Sequence, residues 1–173
     1  MLLENKVAII KGAGSGFGRA TALHFTEEGA KVAVVDYNLA AAEETVRLID
    51  TAGGQAIAVE ADVSQADQVQ AFIDNTLDAY GQIDILFNNA GIYVPSNVEE
   101  TEVEDFQRSV DVNLTAIFLA CQAAMPSLKA NKGVIINTTS VNPKTLPMPP
   151  SSSLTTNPLT SPATPSLLTA AGP

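Results

Sequence analysis

Lys11-Gly12-Ala13-Gly14-Ser15-Gly16-Phe17-Gly18 lies between an apolar run, Val7-Ala8-Ile9-Ile10, and a helical pattern from Arg19 to Glu28. Strand, glycine-rich turn and helix, in that order, make a phosphate-binding turn. Glycine lets the backbone bend sharply and lets a pyrophosphate approach without meeting a side chain. The helix that follows points unpaired N–H groups, with a partial charge of roughly +0.5, toward the phosphates. The bland alternative is a glycine-rich loop of the kind that joins any strand to any helix.

The same alternation continues outward. Lys31–Asp36 reads as a second strand, β-branched and ending in an acid. Leu39–Ala52 reads as a helix stopped by Gly53-Gly54, and Gln55–Glu60 as a third strand. Ser64 with Asp67 resembles a capping box, opening a helix over Gln65–Tyr80. Ile83–Phe87 is a fourth strand. Thr101 with Glu104 is a second capping-box pattern, before a helix at about 102–129. That helix carries Phe106, Val110, Leu114, Ile117, Phe118, Cys121 and Met125 at helical spacing. Gly133–Asn137 is a fifth strand. Continuous apolar strands separated by helices predict an α/β, doubly wound parallel sheet, Rossmann-like, in the order 3-2-1-4-5. Its ligand crevice falls at the carboxyl ends of strands 1 and 4, where the winding reverses.

Composition narrows the setting. The chain has 173 residues, 46% of them hydrophobic, and a net charge of −10. One domain is expected, and such an acidic chain argues against nucleic acid and anionic membrane surfaces as partners. The single Cys121 excludes a disulfide framework and suits a reducing compartment. Residues 1–6 are too short and polar for a signal peptide, so a cytoplasmic protein is expected. No metal site is indicated. From Val141 the composition changes: residues 141–173 hold 8 Pro, 5 Ser and 6 Thr, with Lys144 the only charge. Residues 1–140 are therefore expected to form the dinucleotide-binding domain and 141–173 a disordered tail. Strand 5 would then be an exposed edge.

Asp36 sharpens the reading of the glycine turn. An acid ending strand 2, 18 residues after Gly18, is placed to accept hydrogen bonds from a ribose diol and to repel a 2′-phosphate, which favours NAD over NADP. Otherwise it is an ordinary surface acid. Taken with Asp62-Val63, Asn88-Asn89-Ala90-Gly91, Asn113 and Asn137-Thr138-Thr139-Ser140, the Gly12–Gly18 turn resembles the short-chain dehydrogenase/reductase family over about residues 4–141. The resemblance implies an oxidoreductase that interconverts a secondary alcohol and a ketone. It implies that Gly12, Gly16 and Gly18 shape the pyrophosphate turn, with the backbone near Ser15 and Phe17 touching the cofactor. Asp62 would accept from the adenine amino group with Val63 beside the ring, and Asn89, Ala90 and Gly91 would line the adenosine ribose. Asn113 would hold a water in a proton relay and Ser140 would steady the substrate oxygen. The plainer roles are a helix flank for Asp62 and a strand-ending turn for residues 88–91. The family's pairing through its long helix implies a homo-oligomer, with half of the usual interface wanting a counterpart.

Two departures stand out. Lys11 occupies a position where the family usually has Thr, and must snorkel outward or find a partner. At the family's spacing from the serine, its catalytic Tyr and Lys are replaced by Ser153 and Asn157, and no Tyr follows Tyr93. That pattern favours, as the alternative reading, a non-catalytic dinucleotide-binding remnant. Residues after Val141 also lack the periodicity of the strands and helices that the resemblance implies, as an out-of-frame or mis-spliced reading would.

Overall fold

A computed structural model describes residues 1–94, 97–138 and the backbone of 139 and 166–170. Its elements are β1 (Val7–Lys11), α1 (Gly16–Glu27), β2 (Lys31–Asp36), α2 (Leu39–Thr51), β3 (Gln55–Glu60), α3 (Ala66–Tyr80), β4 (Ile85–Asn88), α4 (Val103–Val110), a π-turn (Asp111–Thr115), α5 (Ala116–Asn131), β5 (Val134–Thr139) and β6 (Ser166–Ala170). β1 to β5 form a parallel sheet in the order 3-2-1-4-5, as the strand and helix pattern predicts.

Side chains of successive strand residues point to opposite faces, and each face is covered. Ile9, Ala33, Val35 and Leu86 pack with Val69, Phe72 and Ile73 of α3 and Ala116, Ala120, Ala124 and Leu128 of α5. Ala8, Ile10, Val32, Val34, Ile85 and Phe87 pack with Ala22 of α1 and Ala42 and Ile49 of α2. This two-sided cover explains why the central strands read as unbroken apolar runs. It also fixes the carboxyl ends of β1 and β4 side by side, with Ile10 opposite Phe87.

Several details differ from expectation. The helix after the glycine turn starts at Gly16 rather than Arg19, so the turn's last glycines belong to the first helical turn. The expected helix at 102–129 forms over 103–131, with a π-helical turn at Asp111–Thr115 within it. Its large apolar residues do not face the core: Phe106, Leu114 and Phe118 are exposed, and the row Ala116, Ala120, Ala124 and Leu128 is buried instead. Neither capping box forms. Ser64 turns its hydroxyl to Asp62, and Thr101 donates to the Asn97 carbonyl. β5 is not a free edge, because β6 pairs with it antiparallel; nothing in the composition of the tail signalled that strand. Among the described residues no helix is long and apolar enough to cross a membrane.

Candidate functional site

The glycine turn leaves β1 with the N–H groups of Gly12 and Ala13 both donating to the Val35 carbonyl, at 2.8 and 3.1 Å. Gly12 has φ +68, and a methyl there would stand 3.0 Å from Ala90 Cα; the turn therefore lies directly on the segment after β4. A methyl on Gly18 would meet Asn89 Nδ2 at 2.8 Å and press on the Gly12 carbonyl. Gly16 differs. Its φ is +54, and a methyl there would meet nothing within 4 Å. The Gly16 side of the turn is open, and it begins a helix with no acid in its first turn. That is the geometry and charge an anion favours.

Asp36 ends β2 beneath this turn. The Gly14 N–H donates to its Oδ2 at 2.8 Å and the Asn38 N–H to its Oδ1 at 3.0 Å. The carboxylate is buried and held in one orientation, and each oxygen keeps a second acceptor direction. Gly14 was not singled out from the sequence. Its lack of a side chain is what admits the Asp36 carboxylate, which would lie 2.7 Å from a methyl there.

Asn89 donates from Nδ2 to the carbonyls of Lys11 and Gly12, at 3.2 and 3.3 Å, so its amide ties the turn to β4. Asn113 sits within the π-turn. Its Oδ1 accepts from the Ile92 N–H and its Nδ2 donates to the Ile92 carbonyl, each at 2.9 Å. This pairing clamps the chain just past Ala90 and Gly91; a methyl on Gly91 would meet Asn113 Oδ1 at 3.2 Å. Asp62 accepts from the Ser64 N–H and hydroxyl, at 3.0 and 2.7 Å, the helix-flank role expected as its plainer reading. It also lies at one lip of an open groove of about 560 Å³, lined by Gln65 of the same loop and by Glu104, Gln107, Arg108 and Asp111 across it. Val63 is buried in the core. Ser15 is exposed as the residue before α1 and makes no side-chain cap bond. Phe17 is half-exposed, its ring edge-on to Phe87 at 6.0 Å.

Gly12, Ser15, Gly16, Phe17, Gly18, Asp36, Asn89, Ala90 and Gly91 thus cluster around the ends of β1, β2 and β4. Asp62 and Val63 lie past the end of β3. Ser140, Ser153 and Asn157 lie outside the described residues.

Comparison with known proteins decides the family. The family model for the short chain dehydrogenases matches residues 6–150. The chain belongs to the short chain dehydrogenase family. It is 40% identical over 140 residues to the cyclohexanol dehydrogenase of Acinetobacter sp. (strain SE19), covering 80% of this chain and 56% of that protein. It is 42% identical over 144 residues to the 3beta-hydroxysteroid dehydrogenase 1 of Eggerthella lenta, covering 81% and 55%. A solved 7 alpha-hydroxysteroid dehydrogenase, complexed with NADH and 7-oxo glycochenodeoxycholic acid, superposes with a TM-score of 0.77 at 37% identity, over 80% of this chain and 54% of that one. The chain spans about half the length of the curated relatives it matches.

Two features of this short chain dehydrogenase were not legible in its sequence. Arg19 donates from Nε to Thr45 Oγ1 at 2.9 Å and from Nη2 to the Gly14 carbonyl. Thr45, fully buried on α2, donates in turn to the Ala13 carbonyl at 2.9 Å. The pair braces the turn from the side of α2, and a lone mid-helix Thr carries no signal of that. Lys11 does not snorkel. Its side chain is fully buried, and Nζ donates to the Ala116 carbonyl at 3.1 Å. Burial lowers its pKa from 10.5 to about 8, partly offset by Cys121.

Proposed function

We propose that the chain is an NAD-binding oxidoreductase of the short chain dehydrogenase family, acting on a secondary alcohol or ketone. The observation that carries the binding half is the glycine turn, open at Gly16 and backed by the fixed carboxylate of Asp36. These residues fit a dinucleotide. The backbone from Gly12 to Gly18 would hold the pyrophosphate, with Ser15 and Phe17 alongside. Asp36 would accept from the adenosine ribose hydroxyls, and its charge disfavours a 2′-phosphate, so NAD is preferred to NADP. Asp62 and Val63 would flank the adenine; Asn89, Ala90 and Gly91 would line the ribose. The dinucleotide supplies the hydride acceptor or donor when bound. Asn113 and Ser140 are the residues proposed to orient water and the substrate oxygen. The substrate class rests on the relatives' printed activities. The cytoplasm is the proposed location, and association through the exposed stripe Phe106, Leu114 and Phe118 is the proposed route to a homo-oligomer. Residues 1–140 are proposed to carry the dinucleotide site, with Ser166–Ala170 of the remaining segment joining the same sheet as β6.

A second reading has its own support. Ser153 and Asn157 stand where the family spacing places Tyr and Lys. A serine hydroxyl is a far weaker acid than a phenol, and general acid–base catalysis contributes about 10²–10⁴-fold. On this reading the chain binds the dinucleotide without turning it over. Titration with NAD and NADP, followed by turnover on a panel of secondary alcohols, separates the two. Binding with turnover supports the oxidoreductase; saturable binding with no turnover supports the second reading.

A further inference from the structure

We propose that Lys11 is a positioning residue of the dinucleotide site, its buried ammonium pinning the start of α5 beneath the glycine turn, and that dinucleotide binding is coupled to the charge on that ammonium. The inference rests on the dinucleotide-binding reading above and adds its regulation by protons.

Lys11 joins three parts of the site. It is the last residue of β1, so its main chain leads directly into Gly12. Its carbonyl accepts from Asn89 Nδ2 at 3.2 Å, holding the segment after β4. Its side chain crosses the α5 face of the sheet to the Ala116 carbonyl at 3.1 Å, directly after the π-turn that carries Asn113. π-Turns of this kind concentrate at functional sites. One residue therefore connects the turn proposed to hold the pyrophosphate with the turn that clamps Ile92.

The charge matters because, among the described residues, no anionic group pairs with it. From α5 the titratable group facing Lys11 is Cys121, whose thiol is pushed up by burial. From β2 its register partner is Val35. The neutral Asn88 of β4 donates to Asn137 and Cys121 on the same side of the sheet. Among the described residues Lys11 has no carboxylate partner within salt-bridge distance. A charged donor makes a hydrogen bond roughly twice as strong as a neutral one, so the ammonium holds Ala116 more firmly than the free amine does. A pyrophosphate held by the Gly12–Gly18 turn would add negative charge near the same strand end. The two effects act together: protonation of Lys11 favours binding, and by reciprocity binding favours protonation. With a pKa of about 8, the exchange falls in a range that is easily reached.

Calorimetric titration of the full chain with NAD from pH 6.5 to 9.5, in buffers of high and low ionisation enthalpy, tests this. Thermal unfolding of the unliganded chain is followed over the same range, and Lys11→Met and Cys121→Ser are run in parallel. The expected result is an affinity that falls about three- to tenfold from pH 7 to 9.5, with proton uptake on binding near pH 8. Over the same range the unliganded chain becomes more stable. The dependence persists in Cys121→Ser and vanishes in Lys11→Met. A purely structural lysine would move affinity and stability in the same direction. Affinity that is flat with pH in the native chain, or pH dependence that disappears in Cys121→Ser, overturns the role of Lys11 while leaving dinucleotide binding intact. The native chain alone decides the proton uptake if Lys11→Met does not fold. No NAD binding at any pH overturns the binding reading and this inference together.

Discussion

Lys11 is buried where its charge is disfavoured, and stability should report this directly. Its pKa is about 8 in the fold against the ordinary 10.5. Between those values the unfolded chain holds the extra proton, so native stability rises with pH across that window. Below about pH 8 both states are charged and the full desolvation cost is present. Relative to Lys11→Met, the native chain should therefore gain roughly 2–3 kcal/mol from pH 8 to 10.5, as read by urea unfolding at successive pH values. Asp36 makes the opposite kind of contribution. It accepts two main-chain N–H groups, from Gly14 and Asn38. Asp36→Ala leaves both donors without their acceptor and should cost about 1–3 kcal/mol in thermal unfolding. The same variant should weaken NAD binding and narrow the preference for NAD over NADP, measured by parallel titrations.

At the scale of elements, α5 docks through its small residues. Ala116, Ala120 and Ala124 are fully buried against the sheet, while Phe118 is exposed. Ala120→Leu should overpack that contact and destabilise by about 1–3 kcal/mol. Phe118→Ser should change the stability of the dilute chain by no more than about 0.5 kcal/mol, while reducing concentration-dependent association in sedimentation if the stripe is an interface. The contrast shows what was readable. Strands 7–10 and 31–36 were plain in the sequence because burial on both faces writes a continuous apolar run, and the glycine at 12 ends the first of them. Which face of α5 meets the sheet was not plain. Alanines carry little hydrophobic signal, and the π-turn at Asp111–Thr115 shifts the helical phase between Phe106 and Leu114. Ser64 and Thr101 suggested caps by spacing alone, but Asp62 and Asn97 take their hydroxyls. The partner of Lys11 lies 105 residues away, a contact that no local pattern encodes.

At the scale of the whole molecule, the described sheet brings the glycine turn, Asp36 and the segment after β4 to one end, and this is the part of a short chain dehydrogenase that the comparisons match. In the proposed function the open side of that turn receives the pyrophosphate of a dinucleotide. Gly16 isolates it, since a methyl there meets no protein atom within 4 Å. The positive φ of Gly16 makes Ala cost about 1–2 kcal/mol, a loss that leaves most of a typical domain's stability in place. The decisive measurement is calorimetric titration of NAD into the native chain and into Gly16→Ala, with melting temperature as the control for folding. Saturable binding to the native chain is expected, with at least a roughly tenfold loss in a still-folded Gly16→Ala, equivalent to about 1.4 kcal/mol. No saturable binding to the native chain, or equal affinity in the two, would contradict that placement of the pyrophosphate.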